Sequence, residues 1–136
     1  MAKRKNTADE PKPISPKEVF WAHEEIGDFR RPPFSPQAKE ECAGLLRRLQ
    51  NGEKLEMPQS RPMPSIGAGC HELRVRDAEA NWRLIYFVDS DAIVVLHVFA
   101  KKTQETPQSA IKLSQVRLKI YRDVRARAEK LKNKKG

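Results

Sequence analysis

Five cationic side chains fall on, or directly after, three strands predicted between residues 70 and 102: Arg74, Arg76, Arg83, Lys101 and Lys102. Four acidic side chains of the same stretch lie at predicted turns: Asp77, Glu79, Asp89 and Asp91. Only Glu72 lies inside a strand, on the same face as Arg74 and Arg76, because alternate strand residues face opposite sides. This segregation predicts a cationic groove on one sheet face, which would suit a phosphate group.

A second interpretation of the same charges is structural. The arginines can form ordinary cross-strand ion pairs with Glu72 and with the acids of the turns. Arg83 needs a partner or a ligand in either case, because it is set among Trp82, Leu84 and Ile85 and a buried guanidinium is costly to desolvate. The sequence leaves both interpretations open.

Other chemistry has little support. His23, His71 and His97 lack the spacing of a metal site, and His97, inside an apolar strand, is more typical of a hydrogen-bonded core residue than of a catalyst. The two cysteines, Cys42 and Cys70, are too few for a disulfide framework or a metal site, and Cys42 lies on an apolar helix stripe. The glycines of 67–69 precede a strand, which excludes a dinucleotide or P-loop turn. We expect no metal and no cofactor.

The net charge of +9 says less about partners than its size suggests. Residues 1–15 carry four Lys/Arg and two Asp/Glu, and residues 125–136 carry six Lys/Arg and one Glu. The intervening 16–124 hold 17 Lys/Arg against 15 Asp/Glu. Most of the basic excess therefore lies at the ends of the chain, where it can simply aid solubility.

Local patterns predict the elements that carry these residues. A short aromatic and β-branched run predicts a strand at 18–23, and Ser35 followed by Pro36 predicts the start of a helix that ends at Asn51 and Gly52. The apolar stripe of this helix consists of Ala38, Cys42, Leu45, Leu46 and Leu49. Residues 57–69 are rich in Pro and Gly and have no periodic pattern.

Three strands follow, at 70–76, 82–88 and 92–100, and their short turns favour antiparallel hairpins. The third is apolar on both faces and should lie inside the sheet. Thr106 and Pro107 predict the start of a last helix, with a core stripe of Leu113, Val116, Ile120 and Val124. The order predicts an α+β fold: a small, mainly antiparallel sheet with helices packed on one face.

The length of 136 residues fits one domain. We expect a disordered basic tail at 1–13, a domain at 14–128 and a Lys-rich tail at 129–136. No apolar run has the length of a membrane helix, and the N-terminus lacks the apolar core of a signal peptide, so the sequence predicts a reduced, cytoplasmic protein.

Three runs resemble a known family: "RPMPSIGAGCHELRVRD", "WRLIYF" and "IVVLHVFAKKTQETPQSAIKLSQVRLKIY". They are similar to the phage-derived, HigB-like branch of the RelE/ParE toxin superfamily, and the likeness extends from about Glu18 to Arg122. It implies the toxin of a type II toxin–antitoxin system, neutralised by a helix-turn-helix antitoxin. It also implies a ribosome-dependent mRNA endonuclease that needs no metal and binds RNA on the open sheet face of an α+β sandwich.

The resemblance also implies roles for particular residues. Arg74 and Arg83 would clamp the phosphate, and Lys101 or Lys102 would neutralise charge or act as the base. His97 is the alternative base, and the match does not rank these candidates. Arg76 and His71 are expected to contact RNA.

Two other functions fit a chain of this kind. The first is a ParE-like poison of DNA gyrase that acts through the terminal helix without catalysis, and the second is an RNA-binding relative that does not cleave. An endonuclease needs Arg74, Arg83 and the two lysines on one accessible surface, whereas a gyrase poison does not.

Overall fold

The computed structural model describes residues 16–22, 34–78, 80–101 and 105–135, with side chains through 133. The predicted tail 1–13, His23 and Lys102 lie outside these residues. The elements are β1 (Glu18–Trp21), α1 (Pro36–Gln50), β2 (Ser60–Pro62), β3 (Cys70–Arg76), β4 (Asn81–Val88), β5 (Ala92–Lys101) and α2 (Gln108–Lys135).

The five strands form one sheet in the order β1-β5-β4-β3-β2. Strands β2 to β5 pair antiparallel, whereas β1 pairs parallel to β5, with Glu18 opposite Ala92. The predicted α+β class and the antiparallel hairpins are confirmed. The predicted interior place of the third hairpin strand is also confirmed, since β5 has a neighbour on each side and its residues 92–96 are buried.

Strand β2 was not predicted. It has only three residues, which is too short to show a periodic pattern, and it lies in the Pro-rich segment. Ser60 anchors it, because its hydroxyl is buried and lies 2.7 Å from the Tyr86 hydroxyl in a hydrogen bond. Pro62 is tolerated at this position because β2 is at the edge of the sheet.

Helix α1 forms as its sequence predicts. The Ser35 hydroxyl accepts a hydrogen bond of 3.1 Å from the Ala38 amide, and Pro36 occupies the first turn. The buried side chains are those of the predicted stripe: Ala38, Cys42, Leu45, Leu46 and Leu49. After Asn51 the chain turns at Gly52, whose φ of 90° is accessible to glycine at little cost.

The two helices lie on opposite faces of the sheet, which differs from the predicted arrangement on one face. Leu84 and Tyr86 pack in a core with α1, whereas Ile85, which alternates with them, packs in a second core with Ala110 and Leu118 of α2. Two apolar faces on β4 and β5 require cover on both sides. Leu73 and Val75 face α1, so Glu72 and Arg74 face the α2 side.

The predicted core stripe of α2 is wrong. Val116, Ile120 and Val124 are 55%, 56% and 55% exposed. The buried face instead carries Ala110, Ser114, Arg117 and Leu118. This face was missed because it contains a charged residue, which a search for apolar periodicity does not place inside. Arg117 can be buried because its guanidinium donates a hydrogen bond of 2.8 Å to the Leu96 carbonyl oxygen.

The start of α2 also differs from expectation. The helix begins at Gln108, and the Pro107 carbonyl accepts its first backbone hydrogen bonds, so the Thr106 hydroxyl is not its cap and donates elsewhere. The helix continues to Lys135, so it includes most of the Lys-rich segment 129–136. In the described ranges no helix combines the length and the apolar composition needed to cross a membrane.

Gly69 should be harder to replace than Gly44. Gly69 has φ +81°, and an added Cβ would meet Phe87 Cε1 at 3.1 Å, whereas a Cβ on Gly44 in α1 has no atom within 4 Å. We expect Gly69→Ala to lower the free energy of unfolding by about 1–2 kcal/mol and Gly44→Ala to raise it by about 0.5–1 kcal/mol. Urea denaturation followed by circular dichroism measures both, and equal effects of the two substitutions would contradict the strain at Gly69.

Candidate functional site

A buried carboxylate is the centre of the site. The Glu72 side chain has no solvent exposure, and three cationic groups lie close to its Oε1 atom: Arg61 Nη2 at 3.3 Å, Lys101 Nζ at 3.5 Å and Arg83 Nε at 3.7 Å. The Thr106 hydroxyl donates a hydrogen bond of 2.6 Å to Oε2. We call these five residues the Glu72 cluster.

Each member of the Glu72 cluster is positioned by a different element. The register of β2 on β3 places Arg61 directly opposite Glu72. Arg83 comes from β4, where it pairs with Arg74 on one side and with Phe99 of β5 on the other. Lys101 ends β5, and Thr106 precedes α2. The sheet register therefore brings together residues from across the chain.

Positive charge exceeds negative charge in the Glu72 cluster. One carboxylate faces three cations, and the side chains of Arg83 and Lys101 are only 14% and 4% exposed. Burial lowers the pKa of Lys101 and that of Arg83, and the negative charge of Glu72 opposes both changes. The charge of Arg74 also lowers the pKa of Arg83, so a fourth cation acts on the site.

A cleft of about 550 Å³ adjoins the Glu72 cluster. Its cationic wall consists of Arg74, Arg76 and Arg83, with Asn81 beside them, and Gln59 and Glu41 line it elsewhere. The Nε atoms of Arg74 and Arg83 are buried and make no hydrogen bond within the described part of the chain. Guanidinium groups that line a cleft with excess positive charge can bind an anionic oxygen.

The structure separates the predicted site residues into three places. Arg74, Arg83 and Lys101 come together as expected, and Arg76 lies at the outer end of the same cleft. His71 faces the opposite side of the sheet, where its ring stacks on Tyr86 at 5.3 Å between centroids and lines a different cavity of about 720 Å³.

His97 is on the α2 side of the sheet but in another environment. Its ring stacks on Phe99 at 5.3 Å, and its Nδ1 lies 3.5 Å from Arg117 Nη1. Because Arg117 lies on the buried face of α2, His97 contacts both this helix and its own strand. Lys102, the other predicted base, is outside the described residues.

The cysteines and histidines build no further site in the described ranges. Burial raises the pKa of the Cys42 thiol to about 12 and that of the Cys70 thiol to about 11, which fits packing, as predicted for Cys42. Among the residues with described positions, no three His, Cys, Asp or Glu side chains are grouped so that they could hold a metal ion.

Arg61 and Thr106 were not predicted as site residues. Arg61 follows a Pro-rich run that has no strand pattern, and only the pairing of β2 with β3 places it beside Glu72. Thr106 was interpreted as a helix cap. The useful signal in the sequence was Glu72 itself, the one acid inside a predicted strand among several cations.

Removing the charge of Glu72 should destabilise the fold. Glu72→Gln keeps an acceptor for Thr106 but leaves the buried cations Arg83 and Lys101 without a counter-ion, so we expect the free energy of unfolding to fall by about 3 kcal/mol. Adding Lys101→Met should restore part of this loss. Urea denaturation measures both variants.

The matched control is the exposed pair Arg48–Glu53, whose side chains are 49% and 50% exposed at 3.0 Å. Glu53→Gln should change stability by less than about 1 kcal/mol because solvent screens the pair. Similar losses for Glu72→Gln and Glu53→Gln would refute the buried counter-ion.

Comparison with known proteins places this architecture in a family. Residues 33–119 match the family described as Phage derived protein Gp49-like (DUF891). No curated protein matches the chain. The matched range contains α1, the four strands β2 to β5 and every residue of the Glu72 cluster. The family is generally linked to RelE-like toxins, and a toxin-like role is compatible with it. The chain belongs to the Gp49-like family of phage-derived proteins.

Proposed function

We propose that this protein is the toxin of a type II toxin–antitoxin system, in the HigB-like branch of the RelE/ParE superfamily. In this proposal it cleaves mRNA on the ribosome without a metal, inhibits translation and is neutralised by a helix-turn-helix antitoxin. Membership of the Gp49-like family supports the toxin-like part. The charge of the candidate site supports the cleavage of RNA.

One observation carries the proposal: the cations of the site outnumber its carboxylates. Glu72 offsets one charge of Arg61, Arg83 and Lys101, and the adjoining cleft adds Arg74 and Arg76. A phosphodiester supplies the negative charge that such a site lacks. The guanidinium groups of Arg74 and Arg83 line this cleft, and their buried Nε atoms make no hydrogen bond within the described residues.

The proposed reaction is a transesterification within the RNA strand. The ribose 2′-oxygen bonds to the adjacent phosphorus, and the bond from phosphorus to the 5′-oxygen of the next nucleotide breaks, which leaves a 2′,3′-cyclic phosphate. A base removes the 2′-hydroxyl proton, and the departing 5′-oxygen takes up a proton. Negative charge gathers on the phosphoryl oxygens in the transition state, where Arg74 and Arg83 stabilise it.

Lys101 suits the role of a fixed cation. Its Nζ is 3.5 Å from Glu72 Oε1 and its side chain is 4% exposed, so it acts through its field on the cleft. His97 and Lys102 remain the candidate bases. For His97 to reach a 2′-hydroxyl, RNA must extend along β5 past Phe99.

Loss of Arg83 should stop cleavage. We expect Arg83→Ala to reduce the rate by about 100-fold or more, since it removes a donor to the developing charge. The measurement is growth after induced expression, together with mapping of mRNA 5′ ends to find cuts inside reading frames. Lys101→Ala/Lys102→Ala tests the lysine pair in the same way.

The control is Arg47→Ala, which removes an exposed arginine of α1 outside the Glu72 cluster. It should arrest growth and cut messages like the wild type. Arrest with intact messages in the wild type would replace the proposal with a gyrase poison, and no arrest would favour an RNA-binding relative without catalysis. Equal effects of Arg47→Ala and Arg83→Ala would remove the special role of the cleft.

The pH dependence should identify what Lys101 contributes. Burial lowers the pKa of Lys101, and a group that acts as a cation loses its charge as the pH rises through that value. We expect the single-turnover cleavage rate to fall at high pH, and Lys101→Arg, which stays charged, to remain active without this fall. A rate that rises with pH and an inactive Lys101→Arg variant would instead make Lys101 the base.

A further inference from the structure

Helix α2 presents a second apolar stripe to solvent. Val116, Ile120 and Val124 follow one another at four-residue spacing and are each more than half exposed, and Leu131 continues the stripe at 63% exposure. The opposite face of the helix is already buried on the sheet through Ala110 and Leu118. Residues at this spacing form one continuous strip on a helix surface. We call these four residues the α2 stripe.

A groove lies beside the α2 stripe, between the helix and the edge strand β1. It has a volume of about 470 Å³, and Phe20, Ile120, Tyr121 and Val124 are among its lining residues. The Phe20 ring is 49% exposed and lies 5.5 Å from the Tyr121 ring. Glu18 and Asp91 also line the groove, and Asp91 is neutralised there by Arg125 at 2.7 Å. The surface is apolar and concave, so it can receive side chains inserted from a partner.

Cations border the α2 stripe. Lys112 lies one turn before Val116. Arg127 lies one turn after Val124 and one turn before Leu131, and Lys130 directly precedes Leu131. All three are exposed, and none of them forms an ion pair with a described carboxylate, unlike Lys119 and Arg125. Helix α2 as a whole has ten Lys/Arg but only Asp123 and Glu129 as acids.

We propose that the α2 stripe and its groove dock an amphipathic helix of a protein partner, with apolar residues on one face and acidic residues on its flanks. The apolar residues would enter the groove beside Phe20, and the acids would meet Lys112, Arg127 and Lys130. Helix-in-groove recognition buries an apolar stripe of this kind and uses flanking charge for specificity. The acidic flanks complement a surface whose cations have no partner in the described chain.

Two other occupants fit less well. A second copy of this chain would bring a second set of cations against Arg127 and Lys130, which costs free energy through like-charge repulsion. An anionic bilayer would attract the cations, but it is flat and cannot fill a recess of about 470 Å³ beside β1. Both remain outcomes of the test.

The docking surface is distinct from the candidate active site. Thr106, which binds Glu72, precedes α2, whereas Ile120 lies twelve residues after the first helical residue, or about 18 Å along the axis at the rise of an α-helix. Partner binding at this surface therefore does not require RNA cleavage. A partner bound here can be tested with variants that leave Arg83 and Lys101 unchanged.

The probe is a fluorescent synthetic helix of about 20 residues, with Leu at i, i+4, i+7 and i+11 and Glu on the flanking positions. A second probe replaces every Glu with Lys. We expect fluorescence anisotropy to show saturable binding of the Glu probe to the full chain, weakened by salt, and little binding of the Lys probe. Ile120→Glu and Val124→Glu should each weaken the Glu probe by about tenfold or more.

Ala43→Glu is the matched control, because Ala43 is exposed on α1, on the opposite face of the sheet, so it adds the same charge away from the α2 stripe. Arg127→Glu/Lys130→Glu should reverse the preference and favour the Lys probe. Circular dichroism should show wild-type melting for Ile120→Glu, since its side chain is exposed in the wild type.

Several results would overturn the proposal. These are equal binding of the Glu probe to Ile120→Glu and Ala43→Glu, or no preference between the two probes. Binding to anionic vesicles that Ile120→Glu abolishes, with no binding of the Glu probe, would assign the stripe to a membrane surface. A dimer in sedimentation that Ile120→Glu dissociates, with no probe binding, would assign it to a second copy.

Discussion

The buried carboxylate of Glu72 is the interaction on which the candidate site depends. A guanidinium and an ammonium group that are as little exposed as those of Arg83 and Lys101 require a counter-charge, because desolvation of unpaired cations is costly. Glu72 supplies it and also binds Thr106, which fixes the chain just before α2. One side chain of β3 thus holds three other strands and the segment before α2 in a common arrangement. The remaining positive charge faces the cleft, where a ligand can use it.

Much of the fold follows from local sequence, and the exceptions have physical causes. Helix α1 was predicted because its cap, its first-turn proline and its apolar period agree, and the strands β3 to β5 because their alternation is regular. Helix α2 carries two stripes, and the more hydrophobic one is not the one buried. Arg117 is inside because a carbonyl of β5 accepts its hydrogen bond, which no hydrophobic pattern can express. With Arg117 and Leu118 buried, α2 covers the face of the sheet opposite to α1.

The site residues could be predicted where alternation along a strand decides which face a side chain is on. They could not be predicted where the pairing of two strands brings the side chains together. Arg74, Arg83 and Lys101 were grouped correctly from their own strands. The same parity places His71 with Leu73, on the other face, away from the cations. Arg61 reaches Glu72 only through the three-residue strand β2, and its partner is eleven positions away along the chain. The two interpretations of the charges are also compatible, since Glu72 pairs with the cations and still leaves them in excess.

The parallel pairing of β1 with β5 has a consequence for the order in which the chain assembles. Glu18 is synthesised 74 residues before Ala92, its partner, whereas β3, β4 and β5 are joined by short turns. Local hairpins form before distant pairings, so β1 can only dock on a sheet that already exists. With four residues it contributes few contacts, and a short edge strand of this kind opens early in native fluctuations. One wall of the groove beside α2 is therefore the part of the sheet that closes last, and it loosens early.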